Sequence, residues 1–233
     1  MIRPLIWKEL REQVDRAAPA TLLLAGAMSL MVHARFISIR EVSAALLMGG
    51  GMILSMVLMI GPVPSERSAG TIGFLLALPV HRRHVWFAKW FSTGLSILVM
   101  YAVSLMSGAV TAWLVGLETA WMFRVACAMC VSMLAYHSLF FLFVPRMRHE
   151  LDAALYAFFL AIITLIWSGY ALHDWALVRW MGYLAPAGPA FVVQSSAGHE
   201  HIPAIASTLM TTLLWIVVPG VWLMATTRRR PGA

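Results

Sequence analysis

The chain has 233 residues, 61% of them hydrophobic and only 12% charged, with a mean hydropathy of +0.81. Ordinary globular chains carry about 25% charged residues. So few polar groups cannot cover a water-soluble fold, and a soluble globular domain is excluded. A formal net charge of +7 would suggest nucleic acid in a soluble protein. In a chain this apolar it reflects cytoplasmic loops facing anionic lipid and partner surfaces, and no nucleic-acid partner is expected.

The first element is "IRPLIWKELREQVDR". Ile6, Leu10 and Val14 recur at a spacing of four against Lys8, Glu9, Arg11, Glu12 and Asp15, so residues 1–16 form an amphipathic helix lying in the inner membrane interface. A plain lipid anchor and a lever gripping a cytoplasmic partner both fit this pattern. A hydrocarbon core takes roughly 20 apolar residues as helix. On that measure six spans follow: Ala17–Ala34, Val42–Gly61, Trp90–Gly116, Trp121–Val144, Ala153–Leu172 and Pro203–Thr227. Their apolar runs are continuous rather than alternating, which favours helices over a β-barrel. The expected fold is therefore all-α: a polytopic membrane protein of about six transmembrane helices in one domain over residues 1–233. Glu9, Glu12 and Asp15 ahead of the first span are unlike a purely positive leader, so that span is expected to be retained. Pro219 is expected to kink the last span rather than end it.

Orientation follows from the basic residues. With a cytoplasmic amino terminus, all of the 17 Lys and Arg except Arg35, Arg40, Arg124 and Arg179 fall inside. Both termini are then cytoplasmic. Residues 173–202 become an extracellular loop, with "YLAPAGPAFVV" as a re-entrant hairpin candidate. Trp86 and Trp90 are expected at the inner interface, and Trp113, Trp121, Trp175 and Trp180 near the outer one.

Residues 62–84 separate the second and third spans. Pro62 and Pro64 end one helix, Ser65 or Ser68 can cap a new one, and Pro79 closes it. That short cytoplasmic helix, Ala69 to Leu78, cannot cross a bilayer, yet it carries Ile72, Phe74, Leu75, Leu76 and Leu78. It reads as a plug for a groove on another protein, or as an interfacial helix without a partner. Glu66 just ahead of it can accept from the unpartnered N–H groups near Gly70.

Other constellations weigh less. Met48, Met52, Met56 and Met59 form a stripe along the second span, and Cys127, Cys130 and Met133 put soft sulfur atoms on the fourth. Soft metals favour such ligands, but adaptable packing is the preferred reading and no metal site is expected. The two cysteines, inside an apolar run, fix no redox compartment. His137 is an ionisable group within a span, which makes it, with Met52 and Met56, a candidate for a pathway lining; a hydrogen bond between helices is the competing role. The pairs His81/His84 and His199/His201 lack further ligands. No H-E-x-x-H, aligned Ser/His pair or intramembrane aspartate pair supports a membrane enzyme, and no G-x-x-x-x-G-K-[ST] phosphate loop is present.

The stretch "SERSAGTIGFLLALPVHRRHVWFAKW" resembles the coupling-loop signature of type-two (ABC-2) ABC transporter permeases. In that family the second and third spans are joined by E-R-x-x-G-T, a leucine-rich turn, L-P-V and a basic lead-in to the next helix. Glu66, Arg67, Gly70, Thr71, Leu75, Leu78, Pro79 and Arg82 occupy those positions. The resemblance implies that this loop couples to a separate ATP-binding cassette subunit, and that ATP and Mg act there, with no cofactor in this chain. It further implies a second permease copy or homologue, export rather than catalysis, and residence in a bacterial inner membrane. The chain inserts no large extracellular domain, which argues against substrates handled by one. A non-transporting membrane scaffold that recruits a cytoplasmic protein is the alternative function.

Overall fold

The computed structural model describes residues 2–34, 50–60, 66, 70, 73, 81–117, 120–143, 149–169, 175–190 and 201–226. These residues are all-helical, with no strand among them. The helices are α1 (Ile2–Ala34), α2 (Gly51–Ile60), α3 (Arg82–Leu114), α4 (Ala120–Phe143), α5 (Glu150–Gly169), α6 (Ala176–Tyr183), α7 (His201–Thr211) and α8 (Val218–Thr226). The reason is the solvent: in hydrocarbon each backbone donor needs an internal acceptor, and a helix supplies one within the same segment.

The amino-terminal segment and the first span are one helix of 33 residues, not two elements. Pro19 lies within it and costs a donor without ending it. Helix α3 is equally long and starts at Arg82 rather than at Trp90. At 1.5 Å per residue each reaches about 50 Å, well beyond the ~30 Å hydrocarbon core. Each is therefore longer than a hydrocarbon core is thick.

Three polar contacts set how α1 and α3 lie. Glu9 meets Lys89, Gln13 Nε2 donates to Thr93 Oγ1 at 3.5 Å, and the Ser29 and Ser107 hydroxyls pair at 2.6 Å. Residue numbers rise together on both helices, so α1 and α3 run parallel. An intervening crossing in the opposite sense is what joins two parallel helices, and α2 lies between them in sequence. The face of α1 turned to α3 is not the apolar one expected. Glu9 and Gln13 are buried, while Trp7 and Val14 are exposed.

Small residues allow close packing elsewhere. Ala153, Ala157 and Ala161 form a buried stripe on α5, and the Tyr136 hydroxyl of α4 donates to the Ala157 carbonyl. The last span is interrupted by a π-helical segment, Thr212–Val217, before Pro219. A proline clashes with the carbonyl four residues earlier, here that of Trp215, and a widened turn at that position relieves the clash. The helix continues through Pro219, as expected, and the alteration ahead of it covers six residues.

The described part of the 173–202 loop is α6 and a compact turn after it, in which Ala185 to Ala190 are buried. Ser207 Oγ donates to the Tyr183 carbonyl at 2.9 Å, and Trp215 Nε1 to the Leu184 carbonyl at 2.7 Å. Irregular backbone survives away from water only when such donors satisfy it.

Large apolar side chains cover the outside: Val103, Met106 and Val110 on α3, Phe158, Phe159 and Ile163 on α5, Leu213 and Val221 on the last span. Apolar exposure on this scale suits lipid, not water. Among the described residues one helix, His84–Leu114, is by itself long and apolar enough to cross a membrane; Gly51–Ile60, Cys127–Phe143, Leu151–Thr164 and Ala206–Trp222 are shorter apolar helices.

Gly51 tests the packing of α2 on α3. A methyl group there would overlap the hydroxyl of buried Tyr101 and stand 2.7 Å from its Cζ. Gly51→Ala should destabilise the protein by about 1–3 kcal/mol, the usual cost of overpacking a core. A lowered melting temperature in detergent, partly recovered by adding Tyr101→Phe, is the expected result.

Candidate functional site

Lys89 is a cation in the apolar run "VWFAKWF" and has no exposed surface. An unpaired ammonium cannot stay charged in such a place. Its Nζ donates to both carboxylate oxygens of Glu9, at 3.0 and 2.9 Å, and to Glu66 Oε1 at 2.6 Å. Three parts of the chain thus meet at one nitrogen: α1, the 62–84 segment and the base of α3.

The cluster continues outward. Lys8 lies 3.5 Å from Glu9 and 2.9 Å from Glu12, one helical turn on. Ligand atoms of Glu9, Glu12 and Glu66 fall within 4.8 Å of one another. A hard cation would suit three such oxygens, but the ammonium groups of Lys8 and Lys89 already stand among them. Burial raises the Glu66 carboxyl above its ordinary value of 4.5, with Lys89 pulling against that rise without cancelling it. For Lys8 burial works downward, but the Glu12 hydrogen bond and the charges of Glu9, Glu12 and Glu66 outweigh it and raise the ammonium.

Trp90, the next residue, faces the other way. Consecutive helical residues point about 100° apart. Its Nε1 donates to Ser138 Oγ at 3.1 Å on α4, and its ring packs 6.2 Å from that of His137. A methyl group on Gly220 of α8 would lie 3.2 Å from the Trp90 ring, so the glycine lets α8 approach closely. Lys89 and Trp90 together tie the base of α3 to α1, the 62–84 segment, α4 and α8.

The other predicted site residues divide. Arg67, Thr71, Leu75, Leu78 and Pro79 lie outside the described residues, as does the side chain of Arg82, whose backbone begins α3. Gly70 takes φ +73°, a left-handed turn that glycine adopts without a Cβ penalty. Glu66, anticipated as a helix cap, directs Oε1 at Lys89. Met52 lines a small cavity with Met129, Ser132, Met133 and Tyr136, while Met56 packs at the edge of the core. His137 is buried between Trp90 and Phe141, and is not among the residues lining that cavity. Trp86 is buried and Trp90 half-buried. Glu9 and Lys89 were missed as a pair because they are 80 positions apart. The available signal was a lone lysine in an apolar helix opposite an unusually acidic amino-terminal segment.

Two outcomes test the cluster. Removing one member of a buried ion pair costs about 3–5 kcal/mol, whereas removing both charges is often close to neutral. Lys89→Met should therefore lower the melting temperature strongly, and combining it with Glu9→Gln and Glu66→Gln, which leaves neither carboxylate without its cation, should recover most of the loss. The second outcome concerns pH. Because the folded carboxyl of Glu66 titrates above 4.5, its charged form opposes folding at neutral pH, and that opposition fades as pH falls toward 4.5. Glu66→Gln should melt higher than wild type at pH 7, with the difference narrowing on acidification.

No curated protein matches the chain. Residues 8–226, nearly the whole sequence, match the model of the family described as ABC-2 family transporter protein, so the chain belongs to the ABC-2 transporter family and is a membrane transport component.

Proposed function

We propose that the chain is the permease subunit of an ATP-driven exporter, driven by a separate ATP-binding cassette subunit that docks on residues 62–84. The observation that carries this reading is the placement of Glu66. In a chain matched to the ABC-2 family over residues 8–226, the one described carboxylate of the loop between α2 and α3 is held by a buried lysine at the base of α3. A segment fixed there supports transfer of force from a cytoplasmic partner to the membrane helices. In this reading Glu66, Arg67, Gly70, Thr71, Leu75, Leu78, Pro79 and Arg82 form the partner-coupling surface. Six helices cross a bacterial inner membrane with both termini in the cytoplasm, and two permease copies or homologues form the pathway. ATP and Mg bind the partner alone. The parallel course of α1 and α3 supports the alternation of crossings this topology needs.

Coupling is tested in a reconstituted complex with the co-expressed ATP-binding subunit. Glu66→Ala leaves Lys89 paired with Glu9, so insertion and assembly should persist while transport per ATP hydrolysed falls. Glu66→Gln keeps an acceptor and should be milder. Wild-type coupling in Glu66→Ala would refute the role of this residue, and saturable ATP binding by the isolated chain would refute the division of labour. Orientation is tested by cysteine labelling: Ser68→Cys and Arg82→Cys should react only from the cytoplasmic side, and labelling from outside would reverse the topology.

A further inference from the structure

We infer that the small cavity beside Ser132 binds a single ordered water molecule, held by hydroxyl groups of α4 and α5 and walled by the turn after α6. The site is a property of this chain and rests neither on the direction of transport nor on a partner.

Ser132 lies near the middle of α4 with no exposed surface, and its Oγ has no hydrogen-bond partner among the described residues. Hydroxyls elsewhere in the bundle are satisfied locally. Ser96, Ser104 and Thr111 of α3 each donate to the carbonyl four residues earlier, at 3.0, 2.7 and 2.9 Å. Ser132 makes no such bond to the Ala128 carbonyl and lines the cavity instead. A buried hydroxyl without a partner is costly, so one that forgoes its local carbonyl points to a partner in the space it faces.

That space supplies what a water needs. It is largely enclosed and leaves about 10 Å³ for a water-sized centre. One water takes roughly 10–15 Å³ on that measure, so a larger polar ligand does not fit. Two more residues with hydroxyls line it, Tyr136 one turn along α4 and Thr164 of α5. Both donate to carbonyls of α5, Tyr136 to Ala157 and Thr164 to Ala161, and a hydroxyl oxygen that donates can also accept. A water that accepts from Ser132 and donates to those two oxygens makes three bonds, the usual number for a buried water. The remaining walls are apolar: Met52 of α2, Met129 and Met133 of α4, and the turn at Pro186 and Ala187. Ser207, Thr211 and Trp215 hold that turn by its carbonyls, so it does not collapse onto the space. Thioethers accept hydrogen bonds only weakly, which leaves the hydroxyls to fix the position of the water.

Radiolytic footprinting of the full chain in lipid nanodiscs tests the site. A water ionised in place delivers hydroxyl radical to the side chains it touches, and methionine is converted to its sulfoxide. Met28, Met59 and Met100 are fully buried and do not line the cavity, so they serve as internal controls for Met129, which is buried to the same degree. Met129 and Met133 should be oxidised several-fold faster than these controls, and Ser132→Ala should bring them down to the control rate. Equal rates in the wild type would overturn the proposal, and so would a fast rate that survives Ser132→Ala. Thermal unfolding gives a readout independent of labelling. With Ser132 bonded to a water, Ser132→Ala loses that bond and lowers the melting temperature; with a dry hydroxyl, the same change removes an unsatisfied group and raises it. A melting temperature that does not fall therefore refutes the site. Silver(I) is the last probe, since three thioethers line the same space and suit a soft ion. Unchanged oxidation rates in its presence support the water, whereas shielding of Met129 and Met133 would mark a soft-metal site and overturn it.

Discussion

A single ammonium group must be neutralised where no water reaches it, and much of the fold is arranged around that need. Lys89 sits near the amino-terminal end of the long helix α3 with no exposed surface. Two carboxylates reach it from elements distant in sequence, Glu9 on α1 and Glu66 in the loop before α3. Burial of a charge is costly without such partners. The positions of α1 and of Glu66 are therefore tied to the register of α3.

From that joint the organisation of the bundle follows in two directions. Along the axis, α1 and α3 stay parallel through Gln13–Thr93 and Ser29–Ser107. Around the axis, Trp90 takes over where Lys89 leaves off, bonding Ser138 of α4 and packing on Gly220 of α8. Gly220 follows Pro219 and the π-helical turn, so α8 meets the base of α3 just after the weakest stretch of the last span. Helices with altered hydrogen bonding bend more readily than regular ones. The unbroken pair α1–α3 and the interrupted α7–α8 thus differ in backbone regularity, and Trp90 touches α8 at Gly220.

Elsewhere among the described residues many polar side chains are spent on backbone. Ser207 and Trp215 satisfy carbonyls of the buried turn after α6, and Tyr136 satisfies Ala157. His137 is packed among aromatic rings instead of facing a cavity with Met52. The methionines pack in the core as flexible apolar side chains do. Among the described residues the ion pairs gather where Glu66 meets α1 and α3.

Composition and run length were enough to read the membrane class, the helical fold and the general place of most helices, because hydrocarbon forces backbone polar groups into helices whatever the side-chain detail. The segment between α2 and α3 was legible too, since prolines, glycines and charges interrupt an apolar chain. Its resemblance to ABC-2 permeases agrees with the family match over residues 8–226. Helix boundaries were less legible. Charges at residues 8–16 mark an interface by composition, yet the backbone continues unbroken from Ile2 to Ala34 because Pro19 removes one donor without forcing a stop. The pairing of Glu9 with Lys89 was beyond the sequence. A helix pattern says which residues share a face, but not which distant helix that face meets. Burial of Lys89 depends on α1 and α3 lying side by side, and only the tertiary structure decides that.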